Sequence, residues 1–550
     1  MPHPPDHDPP PLRLLVLAVL LAVAAVLANL ALLRSFEFLP APGWLPSYVP
    51  PPLAAPAAAS PSAAPEAVAR PPALPALSRG VTLVIADGMR LDLSRALPAW
   101  QALRAEGADV LTRALFPTFT RNGTATLLTG VGPRWHGFLS NFNHRQSPVP
   151  SIFDLARRAG VHTRLLSQVA TVLPKQFPHA FAEIAPLRLE AVASGPRPHL
   201  TLVYFKEPDL TAHRHGAASE AYREAARGVD RNLARIRAAL DLERETLIVA
   251  TDHGHLDRGG HGGHEPVIER IPLVLAGAGV RRGAVLGAEV DSDLRDVAPT
   301  IAALLGLAPP PLAGGRVLWE ALELPATGAA AGLEAATAAA PSPPADSGVR
   351  SPERAAVPAG WRTERRPLHP PAPPQQPPFR GAATALALAL WPLLLLRPRG
   401  LRAAAGAALA LGGFYALYVA RGHPVSFSCV NAASDIPAFM LEVLGLGLAA
   451  ALAGVLLAGA ARRYAAMALV AAAAVAGGAW GWCGLGAPEA LAHPQAAFLA
   501  YLALSDLLAV ALVSAAAAAW TARRGRRSGL EKGNPMAIAA AGIGGAPAAP

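Results

Sequence analysis

The sequence predicts an α/β domain with a mostly parallel sheet and helices on both faces, together with α-helical transmembrane segments. Between residues 80 and 324, short apolar runs such as VTLVIA (81–86) and HLTLVYF (199–205) alternate with helical stretches. Strands that are apolar throughout are typical of a parallel sheet covered on both faces. Outside this region, Ala/Leu/Val runs of about 20 residues are long enough to span a bilayer.

The composition points to a membrane protein rather than a nucleic-acid-binding one. Of the 550 residues, 52% are hydrophobic, and the formal net charge of +10 comes largely from arginines that flank apolar segments. Membrane topology explains arginines at such positions, and no basic-aromatic groove pattern accompanies them, so we expect no nucleic acid binding. The two cysteines exclude a disulfide scaffold and a cysteine-based metal site.

Shifts in composition divide the chain into seven segments. The first apolar run favours an uncleaved anchor over a signal peptide, whose apolar core usually has only about 7–15 residues. About five spans are predicted near the C-terminus, and the first of them is short for a span. The segments are a cytoplasmic tail (1–11), a transmembrane anchor (12–33), a Pro/Ala-rich stalk (34–79), the α/β domain (80–324), a Pro/Ala-rich linker (325–380), a membrane domain (381–520, with spans at 382–396, 401–420, 436–461, 465–483 and 495–520) and a cytoplasmic tail (521–550).

Arginine clusters predict the orientation of these spans. They lie at 397–402, 462–463 and 523–527, which fall on one side of the membrane if all five spans are counted. The positive-inside rule makes that side cytoplasmic, so we expect an integral protein of the plasma (inner) membrane or its equivalent, with the α/β domain outside the cytoplasm. Glu442 and Asp506 lie inside predicted spans and are candidates for function, although pairing with another span or snorkelling explains them equally well.

Local patterns predict the elements of the α/β domain. Aspartate and histidine then follow three of its predicted strands. Strands are predicted at 81–86, 162–166, 199–205, 246–250 and 271–276, and helices at 151–159, 220–240 and 296–307.

Ligands of this kind suit zinc or a similar divalent ion, and in an open α/β sheet sites form outside the carboxyl ends of the strands. A polar loop or helix caps would explain one such aspartate but not the whole set. The sequence therefore predicts two metal sites of about three protein ligands each. The candidate ligands are Asp87, Asp209, His213, Asp252, His253 and His261.

The stretch PTFTRNGTATLLTG (117–130) supplies candidate nucleophiles. A threonine hydroxyl is a weak nucleophile at neutral pH, but coordination to a metal can activate it. At a helix N-terminus it would also lie beside backbone N–H groups that favour a phosphate. The candidates are Thr118, Thr120, Thr124, Thr126 and Thr129.

These motifs, in this order, resemble the alkaline phosphatase superfamily, and within it the type I phosphodiesterase/nucleotide pyrophosphatase group. The resemblance covers residues 80–324 and implies Thr120 as the nucleophile, with two divalent metal ions, expected to be zinc. It places Gly123 where the secreted nucleotide pyrophosphatases have asparagine. It implies one metal held by Asp209, His213 and His261, and the other by Asp87, Thr120, Asp252 and His253.

A nearer likeness is to the GPI ethanolamine phosphate transferases, in architecture and in two motifs. The motifs are Pro-Thr-x-nucleophile-Arg-x-Gly, with Arg121 here, and Asp-x3-His-x-His, with His215 here. This likeness implies lipid headgroup transfer. Arg121, His215 and His264 are candidates for support of the ligands, whereas His136 and His255 could support the site or be structural.

The sequence therefore predicts a membrane-anchored, zinc-dependent enzyme that cleaves a phosphoester through a phospho-threonine intermediate. The expected partners are the membrane and a phospholipid or other phosphodiester, with phosphoethanolamine-type transfer as the expected reaction. A nucleotide pyrophosphatase-type hydrolase and a non-enzymatic membrane scaffold are the alternatives. Cys429 and Cys483 fall on the same non-cytoplasmic side, so a disulfide between them and simple burial are both open.

Overall fold

The structure is a computed structural model. It describes residues 11–35, 75–142, 145–169, 171–324, 398–424, 426–429, 435–458, 468–469, 471–473, 475–476 and 494–531. Most of the predicted stalk, the linker, the span at 382–396 and most of the span at 465–483 lie outside the described residues. The predicted segment boundaries stay predictions.

A nine-stranded sheet forms the centre of the α/β domain. Its order is β4-β3-β5-β1-β6-β7-β2-β8, with β9 also paired to β2. Strand β7 runs antiparallel to both β6 and β2, and the other pairs are parallel, which confirms the mostly parallel sheet. The strands are β1 Gly80–Ala86, β2 Ala108–Arg113, β3 His162–Ser167, β4 Glu183–Pro186, β5 His199–Phe205, β6 Thr246–Ala250, β7 Arg270–Gly277, β8 Ala284–Leu286 and β9 Ser292–Asp293.

Helices cover both faces of the sheet, and the side chains of each strand alternate between two cores. In β1, Leu83 and Ile85 enter one core while Val84 and Ala86 enter the other, as the two-residue period of a strand requires. The α/β domain contains α2 Leu91–Ala96, α3 Pro98–Glu106, α4 Thr120–Thr129, α5 Pro133–His136, α6 Ile152–Arg158, α7 Leu173–Gln176, α8 Leu189–Val192, α9 Glu207–His215, α10 Glu220–Ala239, α11 Pro266–Glu269 and α12 Val297–Leu304.

Three adjacent central strands define where a site can form. Strands β5, β1 and β6 are neighbours, with Ala86 opposite Phe205 and Ile85 opposite Ala250. Their carboxyl ends therefore lie side by side at one edge of the sheet. The segments that leave these ends carry the aspartates and histidines that the sequence marks.

Among the described residues, three helices are long and apolar enough to cross a membrane, which confirms the α-helical membrane part. The apolar stretches are Leu12–Leu32, Ile436–Ala458 and Phe498–Arg523, and Ala405–Ala420 is a shorter apolar helix. They belong to α1 (Pro11–Ser35), α14 (Ile436–Ala458), α15 (Pro494–Glu531) and α13 (Pro398–Ala420) respectively.

One aromatic cluster joins the ends of the membrane helices to the α/β domain. It contains Leu32 at the end of α1, Tyr418 at the end of α13, Phe439 in the first turn of α14 and Phe498 near the start of α15. Leu139 of the α/β domain is buried in the same cluster. All four helices therefore present the same end of the bundle to the α/β domain.

Candidate active site

The sheet brings the predicted ligands together from three strand ends. Asp87 directly follows β1, and Asp252 and His253 follow β6. Asp209 and His213 lie one turn apart on α9, which begins two residues after β5, so both side chains lie on one face of that helix. The Asp209 N–H donates to the carbonyl of Asp87 (3.1 Å), which connects α9 to the segment that follows β1.

The first cluster surrounds a carboxylate oxygen of Asp209. Its Oδ1 lies 2.9 Å from His255 Nε2, 3.2 Å from His213 Nε2 and 3.6 Å from His261 Nε2. Ligand atoms of Asp209, His253, His255 and His261 all lie within 4.8 Å of one another. This set includes two of the three residues predicted for one metal, Asp209 and His261, and adds His253 and His255. The third predicted residue, His213, lies half-buried at its rim.

The second cluster surrounds His253. Its Nε2 lies 3.5 Å from Asp87 Oδ1, 3.7 Å from Asp252 Oδ2 and 3.2 Å from Thr120 Oγ1. These are the four residues that the resemblance implies for the other metal. Asp87, Asp252 and His253 are fully buried, and the Thr120 side chain is only 4% exposed.

Two histidines are oriented as metal-ligating histidines are. His253 Nδ1 lies 3.0 Å from the carbonyl of Gly254, and His261 Nδ1 lies 2.9 Å from that of Thr118. A carbonyl only accepts, so each Nδ1 bears the hydrogen and each Nε2 presents a lone pair to the clusters. A hydrogen bond from the second ring nitrogen fixes metal-ligating histidines in the same way.

Atoms of the kind that bind metals are crowded together at both clusters. His261 Nε2 and His213 Nε2 are only 3.2 Å apart. In the second cluster, Asp87 Oδ1 and Asp252 Oδ2 are buried and accept no hydrogen bond from the described residues. Buried acceptors without donors are costly, whereas a divalent cation satisfies several at once. The residues present therefore fit a metal at each cluster.

Electrostatics support the same conclusion for the carboxylates. Burial, together with the charges of Asp209 and Asp252, raises the pKa of Asp87 well above its ordinary value. Burial also raises the pKa of Asp252. Hydrogen bonds from His213 and His255 outweigh burial at Asp209 and hold its pKa well below the ordinary value. Three carboxylates in one water-poor site repel each other, and a cation between them offsets that repulsion.

Two histidines of the first cluster, His255 and His261, are kept neutral. Burial lowers the pKa of His255 to about 4, although its contact with Asp209 opposes the shift. Burial and the neighbouring His253 and His255 lower the pKa of His261 well below its ordinary value. Neutral imidazole is the form that binds metal, so these residues need not lose a proton before they bind an ion at neutral pH.

Thr120 is the first residue of α4, where its hydroxyl lies beside the first turn of the helix. Phe119 is the N-cap and offers no capping side chain. The helix can approach the metal ligands closely because residue 123 is glycine: a Cβ there would lie 2.6 Å from the Asp252 carbonyl oxygen and 2.8 Å from Asp252 Cβ. An asparagine at this position, as in the secreted nucleotide pyrophosphatases, would displace Asp252.

The other threonines of this stretch have structural contacts. Thr118 Oγ1 donates to the carbonyl of Gly263 (2.6 Å), and Thr124 and Thr129 donate to carbonyls one turn earlier in α4. Thr126 donates to Asn122 Oδ1 (3.1 Å). Among the candidate threonines, only Thr120 contacts a predicted ligand through its hydroxyl.

The structure spreads the three predicted supporting residues apart. Arg121 is buried, and its Nε donates to the Asn141 carbonyl (2.9 Å). His215 is exposed at the end of α9, and His264 is half-buried. Supporting roles for these residues stay predictions, whereas the buried His255 joins the metal-ligand set. The alternation DHGH at 252–255 is the sequence signal that could have found it.

A loop from the membrane part also contacts the metal-ligand segment. Gly263 N–H donates to Ser428 Oγ (2.8 Å), and Ser428 Oγ donates to Glu265 Oε2 (2.9 Å). Ser426 Oγ donates to the other oxygen of the same carboxylate. This loop connects α13 to α14, so its serines lie directly against the segment that carries His261.

Comparisons with known proteins agree with this geometry. Residues 81–168 and 150–263 match the family described as type I phosphodiesterase/nucleotide pyrophosphatase. The chain is 34% identical over 126 residues to a 2,3-bisphosphoglycerate-independent phosphoglycerate mutase of Roseobacter denitrificans, covering 22% of this chain and 23% of that protein. It is 31% identical over 143 residues to the enzyme of that name from Ruegeria pomeroyi, covering 25% of this chain and 26% of that protein. The chain thus spans about a quarter of the length of these relatives.

Two solved structures are similar at low sequence identity. One is a 2-O GAG sulfatase, with a TM-score of 0.37 and 14% identity, covering 44% of this chain and 73% of that one. The other is murine ectonucleotide pyrophosphatase/phosphodiesterase 5, with a TM-score of 0.36 and 16% identity, covering 42% of this chain and 96% of that one. The family match and the ordered strand-end motifs, set on a mostly parallel sheet, identify the α/β domain as a member of the alkaline phosphatase superfamily.

Proposed function

We propose that this protein is a membrane-anchored, metal-dependent phosphotransferase that acts on phosphodiesters, with Thr120 as the nucleophile. The observation that carries the proposal is the position of Thr120. It begins α4, is almost fully buried, and lies 3.2 Å from a nitrogen shared between two clusters of metal-ligand type. Of the hydroxyls in this stretch, only this one has the surroundings that activate a nucleophile.

The donor sets favour two zinc ions. Asp209, His213, His255 and His261 would hold one, and Asp87, Asp252, His253 and Thr120 would hold the other. Mixed nitrogen and oxygen ligands, with no sulfur, suit zinc in a catalytic site. When bound, the ions would favour the alkoxide form of Thr120 and stabilise charge on the attacking and leaving oxygens.

The chain's own residues account for the remaining steps. The Thr120 hydroxyl gives its proton to solvent, and Oγ1 attacks phosphorus. A new P–O bond forms, and the leaving oxygen departs with the electron pair of the broken P–O bond and takes a proton from solvent. Thr120 also lies at the N-terminus of α4, and helix N-termini favour phosphoryl oxygens. A second nucleophile then attacks phosphorus from the opposite side and releases Thr120.

That second nucleophile distinguishes transfer from hydrolysis. An acceptor hydroxyl gives transfer, and water gives hydrolysis. The matched family is described as phosphodiesterase and pyrophosphatase, whereas the sequence relatives are named as mutases. The likeness to GPI ethanolamine phosphate transferases favours transfer of a phosphoethanolamine-type headgroup, and hydrolysis is the second candidate.

The membrane contacts support a lipid substrate on the non-cytoplasmic side. Ser426 and Ser428, in the loop between two apolar helices, contact the segment that carries a metal ligand. The site is therefore held close to the membrane surface, where a lipid headgroup can reach it. The same end of all four helices meets the α/β domain, and the described Arg13, Arg402 and Arg523 lie towards the other ends of their helices, an arrangement that favours the predicted topology.

Elemental analysis and lipid turnover test this proposal. The purified full-length protein should contain about two zinc ions per chain under the two-metal arrangement. In vesicles containing phosphatidylethanolamine, it should release diacylglycerol, while soluble nucleotide diesters should react slowly. Rapid nucleotide cleavage with untouched lipid would establish the hydrolase. Activity that survives complete metal removal would contradict the metal assignment, and a metal-free, inactive protein would favour the scaffold.

A further inference from the structure

We propose that the loop between α13 and α14 is a positioning element of the active site, acting through Ser426, Ser428 and Glu265 on the segment that carries His261. The membrane part of the chain would thereby set the geometry of the metal ligands, in addition to anchoring the domain. The reaction concerned is the one proposed above, but the contacts and the metal retention they predict are independent of it.

Both oxygens of the Glu265 carboxylate accept hydrogen bonds from the membrane loop. Ser426 Oγ donates to Glu265 Oε1, and Ser428 Oγ donates to Glu265 Oε2 at 2.9 Å. The Ser428 N–H also donates to Ser426 Oγ (3.0 Å), so the two serines hold each other in place. Hydrogen bonds to a charged acceptor are the stronger kind, and both oxygens of Glu265 are used.

Hydrogen bonds also connect the membrane loop to the nucleophile segment and to His261. Gly263 N–H donates to Ser428 Oγ (2.8 Å), and the Gly263 carbonyl accepts from Thr118 Oγ1 (2.6 Å). Gly262 N–H donates back to Thr118 Oγ1 (3.0 Å), and the Thr118 carbonyl accepts from His261 Nδ1 (2.9 Å). A continuous network thus runs from the membrane loop to the hydrogen bond that orients His261.

The side chains of Ser426, Ser428 and Glu265 pack tightly against the backbone of Gly263. A Cβ there would lie 2.4 Å from each of Ser426 Oγ and Ser428 Oγ, and 2.3 Å from Glu265 Oε2. Only glycine allows these three side chains to converge on the backbone. The serines thus contact the chain two residues from His261, and Thr118, two residues before Thr120, belongs to the same network.

A further contact and a burial pattern show that the loop is seated rather than touching at one point. Arg258 Nη1 donates to the Gly422 carbonyl (2.5 Å), and Phe427 packs against Phe116 with ring centroids 6.0 Å apart. Ser426, Phe427 and Ser428 are all buried. The loop therefore contacts the α/β domain before the serine pair, at Gly422, and between the two serines, at Phe427.

The test uses the full-length protein with Ser426 and Ser428 both replaced by alanine. Ser147→Ala is the matched control, because it removes a local hydroxyl contact to Val149 within the α/β domain. Loss of groups that orient metal ligands typically costs 10–100-fold in metal affinity or activity. We expect the double variant to release zinc to a chelator about tenfold faster and kcat to fall about tenfold, with KM for a soluble diester unchanged.

Glu265 variants separate positioning from general damage. Glu265→Ala should reproduce the double variant, and combining all three substitutions should cause no further loss, because they remove one network. Glu265→Gln keeps the shape and some hydrogen bonds and should give an intermediate zinc-release rate. Folding of each variant is checked by its thermal unfolding curve.

Two results would overturn the proposal. The first is wild-type zinc release and kcat in the folded double variant. The second is a triple variant whose losses are the product of the separate losses. Zinc release is measured without substrate, so it tests the positioning role whether or not the protein turns over a diester. A wild-type protein that binds zinc but turns over no diester would contradict only the proposed function.

Discussion

Replacing His136 should change how the stability of the α/β domain depends on pH. His136 is fully buried, and the Phe138 N–H donates to its Nδ1 (3.1 Å). Its Nε2 therefore bears the hydrogen and donates to Thr126 Oγ1 (3.0 Å), which in turn donates to Asn122. Asn122 donates to the carbonyls of Leu115 and Pro117, so this chain of hydrogen bonds supports the segment that leads to Thr120.

The magnitude follows from the pKa of this histidine. Burial, with a smaller contribution from Arg145, lowers the pKa of His136 to about 3. The unfolded chain has a histidine pKa of about 6.5, so the unfolded state binds the proton first as the pH falls. The contribution of neutral His136 is therefore complete above pH 6.5 and is lost as the pH falls towards 3. By linkage, about 2 kcal/mol is lost by pH 5.

The assay compares His136→Gln with the wild type by pulse proteolysis in urea at pH 7.5 and pH 5. Glutamine does not titrate, and its amide can donate to Thr126, but Phe138 N–H loses its acceptor. The variant should be less stable at pH 7.5 by about 1–3 kcal/mol. Between pH 7.5 and pH 5, the free energy of unfolding of the variant should fall by about 2 kcal/mol less than that of the wild type.

Both proteins keep the same metal-ligand histidines, so acid release of metal affects them equally and cancels in the comparison. An equal loss of stability in wild type and variant between pH 7.5 and pH 5 would refute the assignment of a neutral, buried His136.

Three further predictions concern other parts of the chain. Gly123→Ala should lower kcat by about 10²-fold, because the added Cβ would press on Asp252 and misplace a ligand. The control Gly228→Ala, in open surroundings on α10, should leave kcat unchanged. A similar kcat in the two variants would contradict this prediction. Asp230→Ala should destabilise the domain by about 1–2 kcal/mol in urea titrations, because Asp230 accepts from Ala99 N–H and Trp100 N–H at the start of α3, and an unchanged midpoint would count against it. If Cys429 and Cys483 form a disulfide, thiol labelling of the denatured protein should find two free thiols only after reduction, and two free thiols before reduction would exclude the bond.

The central strands could be predicted from the sequence because they are buried on both faces. Strands β1, β5 and β6 are continuous apolar runs, and their ends carry the aspartates that form the site. Strand β2 could not be recognised as a continuous apolar run, because its buried residues alternate with partly exposed ones. Strand β4 is mostly exposed and lies at the sheet edge, so it carries almost no hydrophobic signal. The antiparallel direction of β7 depends on tertiary pairing and has no local signature.

The site was predictable to the extent that its ligands follow strands. His255 follows β6 two residues after the predicted His253, so the pattern DHGH marks it as a candidate; its contact with Asp209 joins residues 46 positions apart, and only the folded chain assigns it to the first cluster. The steric role of Gly123 depends on α4 packing against Asp252. Ser426 and Ser428 of the membrane loop contact Glu265 across 161 and 163 positions of sequence, and no local pattern marks them.

Trapping of the covalent intermediate tests the central claim most directly. The full-length protein, incubated with a phosphodiester substrate and quenched in acid, is digested and its peptides are analysed by mass spectrometry. The account predicts a phosphoryl or phosphoethanolamine-type adduct on Thr120 that forms within one turnover and is absent from Thr120→Ala. An adduct on another residue, or full turnover by Thr120→Ala, would contradict it.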